Sequence, residues 1–88
     1  MAKKPVNENI ISDLVNLIGE ERTQYVLGVH RNTVYKWTIA TGDSYRLPNA
    51  SAQSLAGLCI FLIQSCGWTI DEVVDSIESV NNMLAKYV

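Results

Sequence analysis

The chain has 88 residues, of which 48% are hydrophobic, and this content is enough to build one small core but not two. None of its apolar runs reaches the roughly 18–20 residues that cross a membrane, and no signal-peptide core follows the basic start of the chain. We therefore expect a cytoplasmic protein, in a bacterial cell or a phage-infected host, with no membrane partner. The formal net charge is −2, so any binding of nucleic acid must depend on where the cations lie.

Positive and negative charges are separated along the chain. Residues 22–46 carry four cations and one acid, whereas residues 47–88 carry one cation and four acids. A basic middle followed by an acidic end is typical of a chain in which one segment contacts an anionic partner.

Apolar residues recur at helical spacing, and no segment alternates with the period of two that is typical of strands. We predict an all-α fold, a compact bundle of about five helices with no strands. Residues 1–6 would form a flexible tail, and residues 7–88 a single domain. The predicted helices cover residues 8–18, 20–27, 31–38, 50–66 and 69–87.

The last two helices have distinct patterns. The fourth is apolar on most sides, which predicts a central, buried helix, with Asn49 as its N-cap and Cys59 and Cys66 as small core residues. The fifth should begin with a capping box formed by Thr69 and Glu72.

The second and third helices form the pattern that carries function. Gly28 allows a sharp turn between them, and Val34 and Trp37 would face a shared core. The opposite face of the third helix would be polar, cationic and free of acids, which suits the major groove of DNA. The residues predicted on this face are Arg31, Asn32, Tyr35 and Lys36.

Residues 20–37 resemble the helix-turn-helix of phage and bacterial regulators of the lambda repressor, Cro and CII type. The resemblance rests on Leu27-Gly28-Val29, a polar trio, and then Val34 and Trp37. It implies a DNA-binding regulator with base contacts at Arg31, Asn32 and Lys36, and with Tyr35 beside them. The chain departs from the family at Gln24, where a small residue is usual, and at His30, where a capping Ser, Asp or Asn is more common.

Contacts to DNA phosphates are predicted around this motif, although each of these residues could instead be an ordinary solvated side chain. The predicted residues are Arg22, Thr23, Gln24, His30, Thr33 and Arg46.

The fifth helix carries an apolar stripe with a heptad period, which either packs on its own core or forms a homodimer seam. The residues predicted for the seam are Ile70, Val73, Ile77, Val80, Leu84 and Tyr87.

The sequence gives little support to catalysis. It has one histidine and lacks a nucleophile–base pair, a glycine-rich phosphate loop and metal-ligand spacing. We therefore expect no enzyme activity, no cofactor, no metal and no small-molecule ligand. The main hypothesis is a sequence-specific transcriptional regulator, acting as a repressor, that binds double-stranded operator DNA as a homodimer. The alternatives are an excisionase-like architectural DNA-binding protein and a helical adaptor or inhibitor that does not bind DNA.

Overall fold

Helices account for the regular structure of the described chain. The computed structural model describes residues 9–38 and 46–87, and every regular element within these ranges is helical. The elements are α1 (Ile10–Ile18), α2 (Glu20–Leu27), α3 (Arg31–Thr38), α4 (Ala50–Ser65), α5 (Ile70–Leu84) and a 3-10 turn (Ala85–Tyr87). The predicted all-α class is confirmed. The predicted tail, residues 1–6, and residues 39–45, between the predicted third and fourth helices, lie outside the described residues.

Capping residues determine where the helices begin. The structure starts α1 at Ile10 and not at the predicted residue 8, because Asn9 is its N-cap. The Asn9 Oδ1 atom accepts hydrogen bonds from the backbone N–H groups of Ile11 and Ser12, at 2.9 and 3.0 Å. The predicted cap of α4 is confirmed, since Asn49 Oδ1 accepts from the N–H of Ala52 at 2.8 Å.

The predicted capping box of α5 is also confirmed. The Thr69 N–H donates to Glu72 Oε1 at 2.8 Å, and the Glu72 N–H donates to Thr69 Oγ1 at 3.1 Å. These two bonds satisfy backbone donors that would otherwise lack a partner at the start of the helix.

The centre of the core is α1, and the prediction that α4 would be the central buried helix is wrong. Helix α1 packs against α2, α3 and α4, and Ile11 and Leu14 are completely buried. Only small residues of α4 are buried, and they allow α1 to approach closely: Ala52, Ala56 and Cys59. The opposite side of α4 is open, so Leu58 is 52% exposed and Phe61 57% exposed. None of the helices in residues 9–38 and 46–87 has the length and apolar content to span a membrane.

The two cysteines have different surroundings. Cys59 is a buried core residue as predicted, but Cys66 is exposed, so its assignment to the core is wrong. The physical reason is that α4 ends at Ser65, and Cys66 lies in the turn that leads to α5.

The first half of α5 packs on the body of the protein, where it contacts α2 and α4. Val73 is 2% exposed, and Ile70 and Ile77 are half-buried against the same core. These three predicted seam residues therefore belong to the packing of their own chain, and a seam through Val73 is not available.

Candidate nucleic-acid interface

Helix α3 presents one apolar and one polar face. Val34 and Trp37 are 2% and 6% exposed and anchor the helix in the core. The four residues predicted to contact bases lie on the solvent side and are all exposed: Arg31, Asn32, Tyr35 and Lys36. The spacing of the buried pair thus leaves a continuous polar surface along α3, with a cation near each end.

The connection between α2 and α3 is short and has a defined geometry. Gly28 ends α2 with φ +67°, a left-handed conformation that glycine adopts without steric cost. The Val29 N–H then donates to the Gln24 carbonyl at 3.1 Å, and the Val29 side chain is half-buried against the core. The turn therefore sets how α3 leaves α2.

His30 acts as the cap of α3. Its Nδ1 atom accepts a hydrogen bond from the Asn32 N–H at 3.1 Å, and its carbonyl accepts from the N–H groups of Thr33 and Val34. A histidine thus replaces the Ser, Asp or Asn that usually caps this position. This bond occupies Nδ1, so only Nε2 remains for the predicted phosphate contact.

Arg46 joins the far end of the same surface. Its backbone N–H donates to the Lys36 carbonyl at 2.8 Å, and the residue is exposed. The structure therefore places two cationic residues, Lys36 and Arg46, at the C-terminal end of α3. The sequence alone could not predict that these two residues are close, because they are ten positions apart and no local pattern determines where the chain returns after α3.

Asn9 holds α3 against α1, a role that the sequence reasoning missed. Its Nδ2 group donates to the Trp37 carbonyl in the last turn of α3 at 2.9 Å, while its Oδ1 caps α1. One side chain therefore connects the start of α1 to the end of α3. An Asn directly before an apolar helix is a recognisable capping signal, but nothing local to it indicates the bond to Trp37.

Glu20 lies at the edge of the polar surface and was also missed. It lines a shallow groove together with Arg31, Asn32 and Tyr35. The third helix itself contains no acid, as its sequence shows, but the fold brings one from the first turn of α2. A carboxylate at this position stabilises the N-terminus of α2 through the helix dipole, and it lowers the positive potential beside Arg31.

The residues predicted to contact phosphates differ in their burial and in their bonding partners. Thr23 is completely buried and its hydroxyl donates to the Gly19 carbonyl at 2.7 Å, so the prediction that it contacts DNA is wrong. Gln24 and Thr33 are half-buried. Arg22 is exposed, but its Nη2 atom lies 3.7 Å from Asp71 Oδ1, on the side of α2 that faces α5.

A comparison of the chain with protein-family models, with curated proteins and with solved structures finds no match.

Proposed function

We propose that this protein is a sequence-specific DNA-binding transcriptional regulator of phage or prophage type, which represses by binding a symmetric operator as a homodimer. The observation that supports this most directly is the division of α3, with Val34 and Trp37 buried and its long polar side chains exposed. A helix that reads bases requires side chains of this kind on its outer face, because Arg, Lys and Asn can pair with base edges.

The size and chemistry of α3 fit the major groove. A helix with its side chains is about 10–12 Å across, which matches the roughly 12 Å width of the groove. Arg31 suits the N7 and O6 acceptors of guanine, and Asn32 suits the N6 and N7 atoms of adenine. Lys36 and Arg46 supply cations at the other end of the helix, where phosphates of the flanking backbone would lie.

The low cation content supports binding by two copies. Among the described residues, α3 and its neighbour Arg46 offer three Lys or Arg side chains, and Glu20 lies beside them. Affinity for DNA rises with the number of phosphates that cations neutralise, so a symmetric pair doubles this number at one operator.

Selection of bound sites from random duplex DNA is the primary test. We expect an enriched sequence with two-fold symmetry and half-sites about one helical turn apart. On that site, Arg31→Ala should weaken binding by roughly 1–3 kcal/mol, because it removes a base contact.

Arg22→Ala is the matched control, since it removes the same charge from a residue that faces Asp71 and α5. Titrations of both variants at one salt concentration should show a large loss for Arg31→Ala and a small one for Arg22→Ala. Equal losses would mean that net charge alone governs binding, and equal affinity of wild type and Arg31→Ala would refute the base contact.

The same experiments distinguish the other candidate functions. Cooperative coating of long DNA without a symmetric site would favour an architectural protein. Absence of salt-dependent binding to every duplex would favour the helical adaptor, for which the exposed Leu58 and Phe61 of α4 offer a surface that a protein partner could cover.

A further inference from the structure

The end of α5 extends beyond the body of the protein. The first half of the helix is packed as far as Ile77, whereas every residue from Glu78 to Tyr87 is exposed. The 3-10 turn continues the helix after Leu84. We call residues 80–87 the α5 overhang.

The overhang carries an apolar stripe that its own chain does not cover. Its members are Val80, Met83, Leu84 and Tyr87, which are 44%, 50%, 51% and 81% exposed. The spacing of three, one and three residues places them on a single helix face. The same face continues from Val73, which is buried in the first half of α5, so the stripe becomes exposed only because the body ends.

We propose that the overhang pairs with the same segment of a second copy, with the two helices antiparallel. The spacing of the stripe is symmetric about the midpoint between Met83 and Leu84. A two-fold axis at this midpoint sets Val80 opposite the second copy's Tyr87 and Met83 opposite its Leu84. The stripe therefore meets itself with every apolar member covered, as a two-fold interface requires.

The charges of α5 agree with this arrangement. All four acids of the helix lie before the overhang, at positions 71, 72, 75 and 78. The one charged residue within the overhang is Lys86. Antiparallel pairing places the two acidic halves at opposite ends of the seam, whereas parallel pairing would set them side by side. Opposed helix dipoles favour the same orientation.

The small size of the seam makes the dimer weak. The overhang has eight residues, whereas a standard protein–protein interface uses roughly 20–30 residues from each partner. We therefore expect a dissociation constant in the micromolar range or weaker in the absence of DNA. A weak dimer would assemble on a symmetric operator and separate when released from it.

Helix α2 connects α5 to the candidate DNA-binding surface, since α2 packs against both α3 and α5. Glu78 and Val74 line a groove that also contains Glu20, and Glu20 lies in the second groove with Arg31 and Tyr35. Pairing at the overhang therefore joins two copies through a helix that packs on α2, the helix before α3. This use of the seam rests on the proposed function, but the seam itself can be tested without DNA.

Analytical ultracentrifugation of the full chain, from about 1 µM to about 1 mM, tests whether the pair forms. The mass of the wild type should rise with concentration towards that of a dimer. Leu84→Glu should remain monomeric, because it places a charge in the seam. Asn82→Glu adds the same charge on the opposite side of the overhang and should dimerise like the wild type.

Disulfide cross-linking tests the orientation, in a Cys66→Ser background that removes the exposed thiol. A mixture of Val80→Cys and Tyr87→Cys chains should form the mixed disulfide. Each variant alone should not, because antiparallel pairing separates the two copies of either position by about 10 Å along the axis, beyond the reach of a disulfide.

Three results would overturn the proposal: a wild type that stays monomeric throughout, equal disruption by Leu84→Glu and Asn82→Glu, or efficient cross-linking of Val80→Cys with itself. Met83→Glu provides a second seam variant if circular dichroism shows that Leu84→Glu does not fold. A confirmed dimer that binds no DNA would uphold the seam and refute the proposed function. A protein that binds the operator but does not pair through the overhang would refute the seam and uphold DNA binding.

Discussion

Exchanging one atom group of Asn9 separates two functions of its side chain. Its Oδ1 accepts two backbone N–H groups at the start of α1, and its Nδ2 donates to the Trp37 carbonyl at the end of α3. Asn9→Asp keeps an acceptor for the cap but replaces the donor by a carboxylate oxygen. Asn9→Ala removes both groups. Comparison of the two variants therefore isolates the bond between α1 and α3.

The expected losses follow from the bonds that each variant removes. An N-cap contributes about 0.5–2 kcal/mol and a single hydrogen bond about 0.5–1.5 kcal/mol to the free energy of unfolding. We expect Asn9→Ala to lose roughly 1–3 kcal/mol in total. Asn9→Asp should lose less than the contribution of one hydrogen bond, about 0.5–1.5 kcal/mol, because the favourable interaction of a carboxylate with the α1 dipole partly offsets the lost donor.

Urea unfolding followed by circular dichroism measures these free energies. Asn49→Asp is the matched control, because Asn49 caps α4 through its Oδ1 and the same exchange retains that bond. We expect Asn49→Asp to be as stable as the wild type or slightly more stable, since a carboxylate suits a helix start.

Two results would refute this reasoning. One is an Asn9→Asp protein whose stability changes in the favourable direction as much as that of Asn49→Asp, which would mean that the bond to Trp37 contributes nothing. The other is an equal loss for Asn9→Asp and Asn49→Asp, which would attribute the effect to the new charge and not to the connection between α1 and α3.

Two further predictions concern single side chains. A thiol reagent at neutral pH should label exposed Cys66 and spare Cys59, because burial both shields the Cys59 thiol and raises its pKa; mass spectrometry of the folded protein would show this, and equal labelling would contradict the described burial. His30→Ala should lose about 0.5–2 kcal/mol of unfolding free energy, because the Asn32 N–H loses its acceptor. His30→Asn should retain most of this stability in urea unfolding, and equal losses in the two variants would argue against a capping role.

Local chemistry predicted the helices well. The bounds of α2 and α3 were predicted as the structure has them, since Gly19 and Gly28 mark the ends of α1 and α2. The capping box of Thr69 and Glu72 was equally readable. Each of these signals lies within a few residues of the feature that it determines, which is why one sequence suffices to find it.

The apolar pattern identified which helices are amphipathic but not which one is central. Helix α4 has more apolar residues than α1, yet its buried face consists of the small residues around Ala56, and Phe61 faces solvent. A count of apolar residues favoured α4. The count was misleading, because burial depends on which helix the other helices surround. For the same reason, one half of the seam predicted on α5 is packed against its own chain and the other half is exposed. Only the fold determines that the packed part ends after Ile77.

For the candidate DNA-binding surface, the sequence by itself determined the composition of the exposed face of α3, because the periodic spacing of Val34 and Trp37 dictates which side chains point outward. Only the tertiary structure added the neighbours of that face: Arg46 beside Lys36, Asn9 bonded to Trp37, and Glu20 next to Arg31. Helical periodicity repeats every few residues and can be read locally. Contacts between distant segments depend on how the whole chain packs, so they could not be read from the sequence.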